Sequence, residues 1–157
     1  MAELRLQTTG AGVIATSEFT LGELEEVVKD KGIAWLDILK PDDKVKEFLE
    51  TIGIDELAIE DIFGHASDTV QRFKGHRFVV VRARDADNRL DTEPVAIILR
   101  DNMLITVRGT RIPALDAFNR RFKMADEDDI SLGIDFLLYE LLDSIADDWT
   151  PILSEYS

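Results

Sequence analysis

Three carboxylates in the last third of the chain have the spacing that would place them on one face of a helix. They are Glu140, Asp143 and Asp147, and residues three or four apart are neighbours on a helix surface. Like charges in such positions cost an isolated helix roughly 0.2–0.5 kcal/mol per pair, so a cation beside Asp143 and Asp147 would stabilise it. No lysine or arginine follows Lys123, so this helix supplies no positively charged side chain of its own.

A second acidic pair, Glu60 and Asp61, lies in a short predicted helix, with Glu56 one turn earlier. The chain has no cysteine and two histidines. Its carboxylate oxygens are hard ligands, which suit Mg²⁺ or Ca²⁺ better than Zn²⁺. Mg²⁺ commonly keeps several waters and takes one or two carboxylates, so a sparse set is sufficient. The alternative is that both acidic groups are solvated faces, and the residues alone leave that choice open.

The other polar candidates favour structural roles. His65 and His76 are predicted in a loop or at a strand start, where surface positions are expected. Residues 126–129 are all acidic but lack the glycine and spaced glutamate of an EF-hand loop, so a solvated turn is expected. Asp37, at the end of a predicted strand, is assigned no chemistry. Because phosphate-binding glycine loops, serine elbows and histidine-based triads are missing from the sequence, no enzymatic activity is expected.

The composition narrows the possible partners. A formal net charge of −14 argues against nucleic acid and anionic lipid, since both require clustered lysine and arginine. Bound cations would relieve the self-repulsion of such a chain, although simple solubility explains the charge equally well. The 157 residues, 45% of them hydrophobic, suit one domain with a substantial core. No secretory signal and no apolar run of about 18 residues occurs in the sequence.

Alternating strand and helix patterns indicate the elements that must position the carboxylates. The predicted strands cover residues 4–9, 12–16, 33–38, 77–84, 90–99 and 103–107. The predicted helices cover residues 20–30, segments capped by Asp42 and Asp55, the segment after Pro113, and residues 131–157. The continuous apolar runs of the later strands suit a sheet covered on both faces. Strands bracketed by helices indicate an α/β sandwich.

Four segments match one known family in residue type, order and spacing. They are Trp35-x-Asp37 before Pro41, Gly53-Ile54-Asp55 through Glu60-Asp61-Ile62, the strand pair at residues 92–99 and 104–108, and Leu137-Leu138-Tyr139 followed by Asp143. In this order they resemble the CorA-type divalent-cation transporters. The match is specific because it extends over most of the chain.

The resemblance implies an α/β/α sandwich with a mixed, largely antiparallel central sheet and a long C-terminal helix. Residues 1–157 would be the N-terminal domain on the cytoplasmic side of the cell (inner) membrane, in a transporter that assembles as a homopentamer. The transmembrane helices would follow this sequence, which stops inside its last predicted helix. Mg²⁺ is the implied ion, with Co²⁺, Ni²⁺ and Zn²⁺ as other candidates. Glu60, Asp61 and Asp143 match positions associated with regulatory metal binding between subunits, whereas Asp147 is added from its spacing alone.

Two departures from the family pattern keep alternatives open. The family usually continues after the acidic pair with His-Gln-Arg-Pro-Lys, whereas this chain has His65-Ala66-Ser67-Asp68-Thr69. Asp55 occupies a position where histidine is frequent. A zinc-transporting relative is therefore one alternative, and an acidic binding module with no transport role is another. Two hydrophobic segments encoded downstream of Ser157 would exclude the second alternative.

Overall fold

A mixed β-sheet forms the centre of the molecule. A computed structural model describes residues 2–8, 12–15, 33–64, 68–88 and 90–155. Within these ranges seven strands follow the order β2-β1-β3-β7-β6-β5-β4. Their bounds are β1 (Glu3–Thr8), β2 (Gly12–Ala15), β3 (Ala34–Leu39), β4 (Thr69–Phe73), β5 (His76–Arg84), β6 (Thr92–Arg100) and β7 (Met103–Arg108). The pair β3 and β7 is parallel, and the other neighbouring pairs are antiparallel.

Helices cover both faces of this sheet. They are α1 (Asp43–Thr51), α2 (Glu56–Phe63), α3 (Pro113–Met124), α4 (Glu127–Ser131) and α5 (Ile134–Ser154). α1 and α2 pack on one face, and α3 and α5 pack on the other. The predicted α/β/α sandwich, with its largely antiparallel sheet and long C-terminal helix, is confirmed. Among the residues described, no helix is both long and apolar enough to cross a bilayer.

The two central strands divide their side chains between two hydrophobic cores. Leu36 of β3 and Ile105 of β7 face the core under α1 and α2. Trp35 and Leu104, the next positions back, face the core under α3 and α5. Because successive strand residues point to opposite faces, a strand buried on both sides must be apolar nearly throughout. The apolar runs in the sequence therefore predicted these strands correctly.

Helix caps also follow the sequence. The side chain of Asp42 accepts a hydrogen bond from the Val45 amide at the start of α1. Asp55 accepts one from the Leu57 amide at the start of α2. Such caps satisfy amides that have no partner inside the helix and are worth about 1 kcal/mol each. The predicted helix at residues 20–30 lies outside the described residues.

Two elements differ from the sequence prediction. β4 was not predicted, because this edge strand is polar at most positions and gains its order by pairing with β5. The acidic run predicted as a turn contains α4, which Asp126 caps with a reciprocal capping box involving Asp129. The last helix begins at Ile134 and not at residue 131, because Gly133 has φ +86° and separates α4 from α5.

Candidate functional site

The first acidic pair is presented by α2 without any internal partner. Ala58 and Ile59 are buried against the sheet, which leaves Glu60 exposed and Asp61 half-buried. Among the described residues, neither carboxylate makes a hydrogen bond or an ion pair. Both side chains are therefore free to meet a cation or another molecule.

Glu60 lines an open groove between α1 and α2. The groove has a volume of about 490 Å³, and its charged lining consists of Glu50, Glu56, Glu60 and Lys46. Three carboxylates against one ammonium group give this surface a negative charge. A groove of this composition attracts cations.

The start of α2 is connected to the sheet by His76. This histidine is 6% exposed, its ring stacks on Phe73 with centroids 5.1 Å apart, and its Nε2 accepts a hydrogen bond of 3.2 Å from the Asp55 amide. Burial lowers the pKa of His76, so the imidazole is neutral near pH 7. The predicted surface position for His76 is therefore wrong, because strand pairing and the α2 terminus enclose the ring. His65 lies outside the described residues.

The second acidic group lies along α5, and one arginine from α3 contacts all three of its members. Arg121 Nη1 donates to Glu140 Oε2 at 3.4 Å and to Asp143 Oδ2 at 3.0 Å, while its Nη2 donates to Asp147 Oδ2 at 2.7 Å. The hydrogen bond to Asp147 first, and that to Asp143 second, raise the pKa of Arg121 above its ordinary value. The cation beside Asp143 and Asp147 in this structure is a side chain.

Sequence reasoning did not find Arg121. The inference that α5 carries no basic partner of its own is correct, but α3 supplies one across the helix–helix contact. Phe118 and Phe122 are buried in the core under α3 and α5. Arg121 directly precedes one of these phenylalanines, so it emerges beside the buried stripe and next to α5. The apolar spacing of α3 was the signal that could have located it.

The two acidic groups lie on opposite faces of the sheet. Glu60 and Asp61 belong to α2, which packs over one core, and Asp143 and Asp147 belong to α5, which packs over the other. In the part of the chain that the structure describes, no three histidine, aspartate or glutamate side chains converge as a metal site. A single copy of this domain therefore does not bring its two acidic groups together.

Asp37 is buried in an ion pair between the two central strands. Arg108 Nη2 donates to Asp37 Oδ2 at 2.8 Å, and Thr106 Oγ1 donates to Asp37 Oδ1 at 2.8 Å. Trp35 Nε1 in turn donates to Thr106 Oγ1 at 3.0 Å. Asp37, to which the sequence assigned no chemistry, thus links β3 to β7. Its role is structural, because strand pairing places both charged groups inside the fold.

Together the fold and its helical faces define a negatively charged α/β/α domain that presents carboxylates on both sides of a mixed sheet. The family described as "CorA-like Mg2+ transporter protein" matches residues 30–157. The chain belongs to this family, as its motifs indicated.

Known relatives agree with this assignment. The chain is 29% identical over 125 residues to "Magnesium transporter ALR2" of Saccharomyces cerevisiae, covering 76% of this chain and 14% of the relative. It is 26% identical over 147 residues to "Cobalt/magnesium transport protein CorA" of Thermotoga maritima, covering 88% and 42%. The chain thus spans less than half the length of either relative.

A solved structure supports the fold. The soluble domain of CorA from Methanocaldococcus jannaschii aligns with a TM-score of 0.71 at 18% identity, covering 98% of this chain and 59% of that one. At this identity the likeness concerns the fold alone.

Proposed function

We propose that this chain is the cytoplasmic ion-sensing domain of a CorA-type transporter of Mg²⁺ or another divalent cation. In the assembled homopentamer, Mg²⁺ would bind between neighbouring subunits near Glu60, Asp61, Asp143 and Asp147. The bound ions would stabilise the arrangement in which the pore is closed. Family membership supports the transporter class, and the placement of the carboxylates supports the regulatory role.

One observation carries the proposal: the acidic groups are separated by the thickness of the sheet within one chain. A metal site that uses them must therefore be completed by another segment. In a ring of subunits each domain has a neighbour on either side. The family resemblance expects a carboxylate from a neighbour's later helix to complete the sites, and that helix is not part of this sequence.

The physical basis of gating would be differential affinity. Carboxylates of adjacent subunits repel one another unless a divalent ion lies between them. Mg²⁺ would therefore bind the closed arrangement more tightly than an open one, and its loss would shift the population toward conducting states. Each subunit contact would respond to the same intracellular ion that the pore admits.

The identity of the ion follows from a weaker argument. Oxygen ligands without cysteine favour Mg²⁺ over Zn²⁺. The Thermotoga relative is named for both cobalt and magnesium, so its name does not single out one ion. Uptake of Mg²⁺ and Zn²⁺ by cells expressing the transporter that carries this domain would distinguish the magnesium proposal from the zinc alternative.

The decisive test neutralises the three residues assigned through the family, in that same transporter. The substitutions Glu60→Gln, Asp61→Asn and Asp143→Asn, made together, are expected to abolish inhibition of ion flux by internal Mg²⁺. A control with the same charge change uses Glu47→Gln, Asp68→Asn and Asp87→Asn, all at exposed positions, and should keep the inhibition. Undiminished inhibition in the first variant would refute the proposal.

A further inference from the structure

Arg121 occupies the acidic face of α5 as a cation that cannot diffuse away. Its guanidinium contacts one oxygen each of Glu140, Asp143 and Asp147. The other oxygen of each carboxylate makes no hydrogen bond among the described residues. Since α3 is anchored in the core by Phe118 and Phe122, the guanidinium is held near these oxygens at a high effective concentration.

We propose that Arg121 competes with divalent cations for Asp143 and Asp147, and so sets the ion concentration at which this face of the domain is filled. The inference rests on the proposed function, since it assumes that a divalent ion reaches these carboxylates. It adds a residue that sets the threshold of the sensor and is not itself a ligand.

Competition follows from the geometry of the two cations. Mg²⁺ requires oxygens at about 2.0–2.1 Å in a nearly octahedral arrangement. The guanidinium takes the same carboxylates as a planar hydrogen-bond donor. A divalent ion close enough to bind these oxygens would also be repelled by the positive charge of Arg121. Binding on α5 should therefore proceed by exchange, with the arginine moving aside.

The surroundings of Arg121 allow such an exchange. Three carboxylates and one guanidinium leave a formal charge of −2 on this face, so it still attracts cations. A groove of about 260 Å³ between α3 and α5 is lined by Arg121, Met124, Asp129 and Glu140. This groove gives the displaced side chain room and a second carboxylate to approach.

The two faces of the domain should then differ in their response. Glu60 and Asp61 on α2 have no ion-pair partner among the described residues, whereas Asp143 and Asp147 on α5 share Arg121. The face carried by α2 should fill at a lower divalent-ion concentration than the face carried by α5. Displacement of Arg121 would also loosen the contact between α3 and α5, so filling of the second face would be coupled to helix packing.

The test is a titration of this chain with MgCl₂, followed through the backbone amide signals of α5 by nuclear magnetic resonance. Arg121→Gln should tighten Mg²⁺ binding at Asp143 and Asp147 about tenfold, because a neighbouring positive charge is removed. Arg82→Gln is the matched control, since Arg82 donates only to the hydroxyl and carbonyl oxygens of Thr92. Equal affinities in the two variants, or weaker binding in Arg121→Gln, would overturn the inference.

A second measurement protects the test against misfolding of the variant. In the unmodified chain, the guanidinium signals of Arg121 should shift together with the amide signals of Asp143 and Asp147 as MgCl₂ is added. Guanidinium signals that stay constant while these amides approach saturation would contradict the competition.

The inference and the proposed function can fail separately. Tighter binding in Arg121→Gln, combined with intact Mg²⁺ inhibition in the triple variant of the transporter, would leave the competition standing and remove the regulatory role. Lost inhibition in the triple variant, combined with equal affinities in Arg121→Gln and Arg82→Gln, would remove the competition alone.

Discussion

Asp37 and Arg108 show how a single buried pair holds the two central strands together. Both side chains are almost fully enclosed, at 6% and 9% exposure, and Arg108 also donates to the Thr110 carbonyl. A buried pair of this kind contributes little over apolar residues of equal size, but either charge left alone is costly. The pair therefore acts mainly as a constraint on how β3 and β7 align.

We expect Asp37→Ala to lower the free energy of unfolding by about 3–5 kcal/mol, because Arg108 would remain buried and uncompensated. Urea unfolding followed by circular dichroism measures the loss. Asp135→Ala is the control: it breaks an ion pair with Arg77 at the surface, and exposed pairs contribute about 1 kcal/mol or less. Similar losses in the two variants would contradict the buried-pair account.

At the scale of elements, Gly133 determines where the last helix begins. The residue has φ +86° and lies between α4 and α5. This left-handed conformation is easily adopted by glycine and strains a residue with a side chain. Its position lets the acidic segment form its own capped turn, so that α5 starts afresh over the core.

Replacing Gly133 with alanine should lower the free energy of unfolding by about 1–2 kcal/mol through backbone strain alone. A Cβ atom at this position would meet nothing within 4 Å, so no clash contributes. Gly109→Ala is the matched control, because the added Cβ also meets nothing and the backbone there is not left-handed. Thermal unfolding of both variants tests the difference, and a stable Gly133→Ala variant would show that the break has another cause.

At the scale of the whole molecule, a net charge of −14 and the separation of the acidic groups act together. Any cation screens the self-repulsion of such a chain. A specific site, in contrast, would require the acids to converge, and in one copy they lie on opposite faces of the sheet. General screening and specific binding should therefore separate experimentally.

For this chain alone, MgCl₂ and NaCl at equal ionic strength are expected to raise the midpoint of thermal unfolding to a similar extent. The reason is that the proposed metal sites are completed only by neighbouring subunits. Differential scanning calorimetry in the two salts provides the comparison. Saturable stabilisation by micromolar Mg²⁺ in a monomeric sample would contradict the intersubunit account.

The sequence by itself determined the local features of this protein. The caps Asp42 and Asp55, the apolar runs of the central strands and the family motifs depend on residues close together in the chain, so spacing and residue type were sufficient to predict them. The carboxylates of the candidate site were also visible, because helical spacing groups them on one face.

The tertiary structure alone decided which charges are neutralised. Arg121 meets Asp143 across 22 residues of sequence, Arg108 meets Asp37 across 71, and His76 is enclosed through its contact with Asp55 across 21. Each partner comes from a different element, and the strand order and helix packing set these distances. A local pattern contains no information about such pairings, since the energy that selects them belongs to the packed fold.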